Sequence, residues 1–183
     1  MDLKIKNKIV LVTGSSRGIG KCIAAKLSEE GCKVVLNSRN KAELKKTSEE
    51  IPNSIYISGD VSKPIECKAI YKEILDTYGK LDSLICNVGS GKSVPQGQEN
   101  KFEWVKSFDT NFYSATNIIE EMKDLLSKVE GTIVCISSIC GTESINSAPI
   151  TYSVAKSALN TYVSLISKPL AKKKIRINAV APG

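Results

Sequence analysis

Short β-branched runs alternate with longer stretches of helical periodicity from one end of the chain to the other. Residues 8–13 are the first such run, and Gly14 stops it, which predicts a buried strand. Ile19, Ile23, Ala24 and Leu27 then recur at helical spacing, and Gly31 closes a predicted helix over 19–30. A second strand covers 33–37. Asn40 opens the next helix, with Glu43 three residues on completing a capping-box pattern. Residues 54–58 form a third strand, and Pro64 starts a helix to about Tyr78. A fourth strand spans 81–86, followed by a polar loop over 89–100. Residues 102–128 make a long helix with room for a break. A fifth strand is expected over 131–138. A helix follows over 151–172, its end disturbed by Pro169, and a sixth strand over 175–180.

Six strands alternate with helices, and the strands are nearly continuous apolar runs. That combination implies a parallel sheet covered on both faces, an α/β architecture. Right-handed crossovers make a doubly wound sheet the natural architecture. Such sheets bind ligands at the carboxyl ends of their strands, so each loop after a strand is a candidate for function. Repeats, linkers and low-complexity segments are absent, and residues 1–183 read as one domain.

Composition narrows the chemistry. The 183 residues are 42% hydrophobic and 25% charged, as in an ordinary globular domain. With no histidine, a Ser-His-Asp triad, a Cys-His pair and a His-based zinc site are all excluded. Six cysteines lack C-x-x-C spacing, and several lie in apolar runs such as Ile133-Val134-Cys135-Ile136. They read as buried free thiols in a reducing compartment. No signal region or membrane-length apolar run is present, and the expected location is the cytoplasm. The formal charge of +7 is densest between Lys168 and Arg176. A nucleic-acid surface would fit a basic run, but this one has neither interleaved aromatics nor a binding motif. A solvated helix end accounts for it, and no nucleic-acid partner is expected.

The loop after the first strand carries Gly14, Gly18 and Gly20 in the pattern G-x-x-x-G-x-G. Glycines there permit a sharp turn and close approach of a phosphate, and the helix beginning near Ile19 directs free amides at it. Ser16 and Arg17 lie inside the turn. A P-loop is excluded, because Ser15 and Cys22 stand where that motif needs glycine and a magnesium-binding hydroxyl. An NAD site often ends its second strand on a carboxylate. Here Leu36-Asn37-Ser38-Arg39-Asn40 has none, and Arg39 with Arg17 offers planar donor forks to a 2′-phosphate. NADP(H) is therefore expected over NAD(H).

Tyr152 and Lys156 stand one helical turn apart and share a face. An ammonium beside a phenol favours its ionised form, which suits proton exchange with a substrate oxygen. Ser138, at the end of the fifth strand, offers a hydroxyl to a carbonyl.

Taken with Thr13-Gly14-x-x-x-Gly18-x-Gly20, Asp60-Val61, Asn87-Val88-Gly89, Asn111 and the terminal Ile175-Arg176-Ile177-Asn178-Ala179-Val180-Ala181-Pro182-Gly183, these residues resemble the classical short-chain dehydrogenase/reductase family over the whole chain. Within it the chain is similar to the 3-oxoacyl-acyl-carrier-protein reductase and tropinone-reductase types, which implies an α/β, Rossmann-type doubly wound parallel sheet of six strands in the order 3-2-1-4-5-6. The resemblance implies a hydride transfer between NADPH and a carbonyl or alcohol, possible substrates including a 3-oxoacyl thioester on an acyl carrier protein. It makes Tyr152 the general acid and Lys156 the holder of the nicotinamide ribose. Ser138 orients the carbonyl, ahead of its neighbour Ser137. Asn111 anchors a water in the proton relay. Cofactor contacts fall to Gly14, Ser16, Arg17, Gly18, Ile19, Gly20, Ser38, Arg39, Asp60, Val61, Asn87, Gly89, Tyr152, Lys156, Pro182 and Gly183. No metal is implied. The two long helices imply a homodimer or homotetramer.

Two departures stand out. Val88 replaces the family's alanine, adding bulk in a tight spot. The family also continues beyond Pro-Gly with a seventh strand and a substrate lid, which this sequence lacks. The expectation is that the chain binds NADPH better than it turns over, and a catalytically impaired dinucleotide-binding module is the alternative.

Overall fold

The computed structural model describes residues 3–183. Its sheet contains β1 (Ile9–Thr13), β2 (Lys33–Ser38), β3 (Ser54–Ser58), β4 (Ser83–Cys86), β5 (Thr132–Ile136) and β6 (Arg176–Val180). All pairings are parallel and the order is β3-β2-β1-β4-β5-β6. Strand order reverses beside β1, so the carboxyl ends of β1 and β4 open the crevice expected of a doubly wound sheet.

Alternation along each strand divides the core. Leu11, Val35, Leu84 and Ile133 point to one face, packed by α3 (Pro64–Tyr78), α5 (Ser114–Ser127) and α6 (Ile150–Lys172). Val10, Val12, Val34 and Leu36 point to the other, packed by α1 (Gly18–Glu29) and α2 (Lys41–Glu50). Helix α5 places Ile118, Ile119, Met122, Leu125 and Leu126 fully inside. Burying each such side chain contributes on the order of 1.5–3 kcal/mol. Helix α1 buries Ala24 and packs Ile23 and Leu27 against the core as its apolar spacing suggested. Gly20, Ala24 and Ser28 face the sheet, small enough for close approach, while Ile19 is exposed.

Several elements depart from the sequence expectation for local reasons. The fourth strand begins at Ser83; Asp82 just before it bonds through its backbone to Ile9 and Thr132, and its carboxylate accepts from the Ile9 amide (2.9 Å) and the Lys8 ammonium (3.0 Å). The fifth ends at Ile136, and Ser138 caps a 3₁₀ turn, Ile139–Gly141. The break allowed for in the long helix is present: α4 (Lys101–Phe108) passes into a π turn, Asp109–Tyr113, before α5 begins. Asn40 caps α2 by accepting from the Ala42 and Glu43 amides, but Glu43 does not return the bond. Its carboxylate goes to Ser16 instead. Helix α6 runs through Pro169 to Lys172. Pro169 and Leu165, whose carbonyl loses its donor, are both exposed, so water can satisfy the helix there.

The cysteines divide as well. Cys32, Cys67, Cys86 and Cys135 are buried, but Cys22 is exposed and Cys140 is half-buried, and all six are free. Among the described residues, no helix is long and apolar enough to cross a membrane.

Candidate active site

A cleft of about 840 Å³ runs along the carboxyl ends of the strands, within the range of small-molecule sites. Every residue singled out from the sequence lines it except Gly20 and Asn111, which lie behind its wall.

The floor is the glycine turn between β1 and α1. Gly14 and Gly18 have φ of +63° and +56°, a conformation that disfavours side chains. Gly20 is needed for space, since a Cβ there would collide with Asn87 Nδ2 and the Gly14 carbonyl. Helix α1 starts at this turn with no side-chain cap and no acidic residue in its first turn. Its leading amides and positive dipole end therefore suit an anion. Asn87 clamps the turn from β4: Nδ2 donates to the carbonyls of Thr13 (3.0 Å) and Gly14 (3.1 Å), and its amide donates to Thr13 Oγ1 (3.0 Å). The asparagine assigned to cofactor contact thus also sets the shape of the cradle.

At the next corner, Ser38, Arg39, Asp60 and Val61 meet. The Gly59 amide donates to the Ser38 carbonyl (3.0 Å). Arg39 Nη1 lies 3.7 Å from Asp60 Oδ2, with the arginine side chain 78% exposed, so the pair is solvent-screened and weak. Beneath it Asn37 is fully buried and donates to the Ile57 and Gly59 carbonyls. Ser15 Oγ accepts from the Asn37 amide. Ser15 and Asn37 thereby join three loop bases, a role with no sequence signal beyond short polar residues at strand ends.

At the other end, α6 brings Tyr152, half-buried, and Lys156, 2% exposed, into the cleft. Lys156 Nζ stands 5.9 Å from the Tyr152 ring centre and donates to the Ile136 carbonyl (2.8 Å). Burial, beside the Cys135 and Cys86 thiols, lowers its pKa from 10.5 to about 8. Those cysteines face each other across β4 and β5. Cys135 beside it, with burial, pushes the Cys86 thiol well above its usual range, so it stays neutral.

Ser138 Oγ accepts from the Cys140 amide (3.2 Å), which leaves its O–H proton free to donate. The 3₁₀ turn beyond it docks on α6 at Gly141, whose carbonyl accepts from Ser157 Oγ (2.8 Å) and Asn160 Nδ2 (3.2 Å). A Cβ at Gly141 would come within 2.8 Å of the Lys156 backbone. Ile139 donates to the Pro182 carbonyl (3.0 Å), which brings Pro182 and Gly183 to the cleft.

Asn111 sits in the π turn. Its Oδ1 accepts from the Ser90 amide (2.8 Å) and its Nδ2 donates to the Ser90 and Ser107 carbonyls (3.1 Å each). A Cβ at Gly89 would stand 3.1 Å from Lys156 Nζ and 3.2 Å from Asn111 Oδ1. Gly89 is therefore the gap through which these two side chains approach. Sequence reasoning passed over Asn37, Gly141, Ser157 and Asn160, whose contacts depend on distant loops meeting.

A doubly wound sheet with a glycine-cradled cleft, and a tyrosine and lysine facing into it, defines a dinucleotide-type oxidoreductase domain. Residues 8–183 match the family model for short chain dehydrogenase, and the chain belongs to that family of nicotinamide-dependent oxidoreductases. It is 35% identical to the 3-oxoacyl-[acyl-carrier-protein] reductase FabG of Staphylococcus epidermidis, over 97% of this chain and 75% of that protein. An uncharacterized oxidoreductase of the same organism is 27% identical over 98% of this chain and 79% of its own length. Among solved structures, the NADP active-site complex of Pseudomonas aeruginosa RhlG aligns with a TM-score of 0.93 at 25% identity, covering 98% of this chain and 73% of that one. The L-sorbose reductase of Gluconobacter frateurii, complexed with NADPH and L-sorbose, aligns at 0.94 and 25%, covering 100% and 72%.

Proposed function

We propose that this chain is an NADP(H)-dependent carbonyl reductase whose substrates include 3-oxoacyl thioesters, free or on an acyl carrier protein. The observation that carries the reading is the placement of Tyr152, Lys156 and the free Ser138 hydroxyl around one end of a phosphate-suited cleft. The glycine cradle and the uncapped start of α1 fit a pyrophosphate, and Arg17 and Arg39 fit a 2′-phosphate. The NADP and NADPH complexes among its structural relatives favour the same cofactor. When bound, the nicotinamide supplies or accepts the hydride.

The protein's part is positioning and proton transfer. Ser138 donates a hydrogen bond to the substrate oxygen, and Tyr152 delivers the proton that completes the alcohol. Lys156 spends one donor on Ile136 and keeps two for the ribose and the Tyr152 side. Asn111 anchors a water of the proton path to Lys156. Exposed Phe102, Val105, Tyr113 and Leu165 on α4, the π turn and α6 suit a homo-oligomer, and free cysteines suit the cytoplasm.

The test is NADPH oxidation with acetoacetyl-coenzyme A as the 3-oxoacyl probe. Wild-type turnover is expected, with a loss of at least about 100-fold in Tyr152→Phe and NADPH binding retained. Equal rates in the two proteins would overturn the assignment of Tyr152.

A further inference from the structure

The sequence shows no carboxylate at the end of the second strand, yet the fold delivers one to the same corner. Helix α2 turns Glu43, Thr47 and Glu50, spaced i, i+4 and i+7, toward the glycine turn and α1. Thr47 Oγ1 donates to the Ser16 carbonyl (3.1 Å), and Glu50 pairs with Lys21. Ser16 Oγ donates to Glu43 Oε2 (3.2 Å). Glu43 lines the cleft with Ser16, Arg17, Ser38, Arg39 and Asn40.

Resting on the NADP(H) reading above, we propose that Glu43 is a cofactor-discriminating residue that opposes a 2′-phosphate and accepts a 2′-hydroxyl. Ser16 has one hydroxyl proton, and Glu43 holds it. A dinucleotide phosphate that takes that proton displaces the carboxylate as acceptor and brings like charges together. A ribose hydroxyl has no such conflict, since it can itself donate to Glu43. The two arginines thus pull toward NADP while Glu43 pulls toward NAD, with Asp60 already drawing on Arg39. The preference for NADP(H) is narrow, and the position that sets its width lies one turn into a helix rather than at the strand end.

The experiment is a set of equilibrium titrations with NADPH, NADH, adenosine 2′,5′-bisphosphate and AMP on wild type, Glu43→Gln and Glu43→Lys. The exposed position makes both substitutions compatible with folding. In Glu43→Gln the two 2′-phosphorylated ligands are expected to bind about three- to tenfold tighter, with NADH and AMP unchanged or weaker. Glu43→Lys extends the trend, and added salt shrinks it. Unchanged ratios of phosphorylated to unphosphorylated ligand in both variants would overturn the role of Glu43 while leaving the cofactor reading intact. Failure of wild type to bind either dinucleotide would overturn both.

Discussion

Lys156 shows how a residue's chemistry depends on what encloses it. Its spacing from Tyr152 was readable in the sequence, because one helical turn fixes a shared face. Its near-complete burial was not, since that depends on Gly89 leaving room and on β5 presenting the Ile136 carbonyl. The folded-state pKa of about 8 lies below the ordinary 10.5. Between these values the unfolded chain binds the proton more readily than the folded one, so stability rises with pH. Relative to Lys156→Met, the wild type is expected to gain on the order of 3 kcal/mol as pH rises from about 8 to 10.5. The difference levels off below pH 8. Urea unfolding of both proteins across that range checks it, and parallel curves would refute the buried charge. Asn111 makes a similar point: the sequence marked its position, but not that its amide is already engaged with Ser90 and Ser107.

At the scale of elements, periodicity located the helices and strands and missed how they end. β5 ends at Ile136 although Ser137 still donates to the Val180 carbonyl, and the turn beyond Ser138 docks on partners 15 or more residues away from Gly141, at Lys156 and Asn160. Gly141→Ala should therefore cost about 1–3 kcal/mol, because its new methyl meets backbone that cannot rotate away. It should also lower turnover by displacing Ser138, while NADPH affinity changes less. Thermal unfolding with steady-state kinetics tests this, and a variant of unchanged melting temperature and rate would show the docking to be loose. The π geometry of the break in the long helix and the uninterrupted passage through Pro169 escaped the pattern for the same reason: both depend on which side of the helix is wet or packed. The Asn40 cap was legible, whereas the diversion of Glu43 to Ser16 required the glycine turn to be in place.

Across the whole molecule, alternation made the doubly wound sheet and the cleft's position legible, because parallel strands restrict the connections a chain can make, while the strand order came with the family resemblance. The braces between loops did not follow, since residues far apart in sequence supply their two ends. Asn87→Ala removes the clamp on Thr13 and Gly14 and leaves two carbonyls short of a donor. The expected loss is about 2 kcal/mol, read as a lower urea midpoint, accompanied by weaker NADPH binding. A variant of wild-type midpoint and affinity would show the clamp to be dispensable. The same bonds join residues 73 and 74 positions apart, which gives the cradle a history as well as a shape. A nascent chain holds all three glycines before it holds Asn87, and a refolding chain must close this long loop to join them, which costs entropy. The cradle, first in the sequence, is expected to become competent only once the end of β4 has joined it. A nucleotide present during refolding would act on the late steps of assembly and leave the early ones untouched.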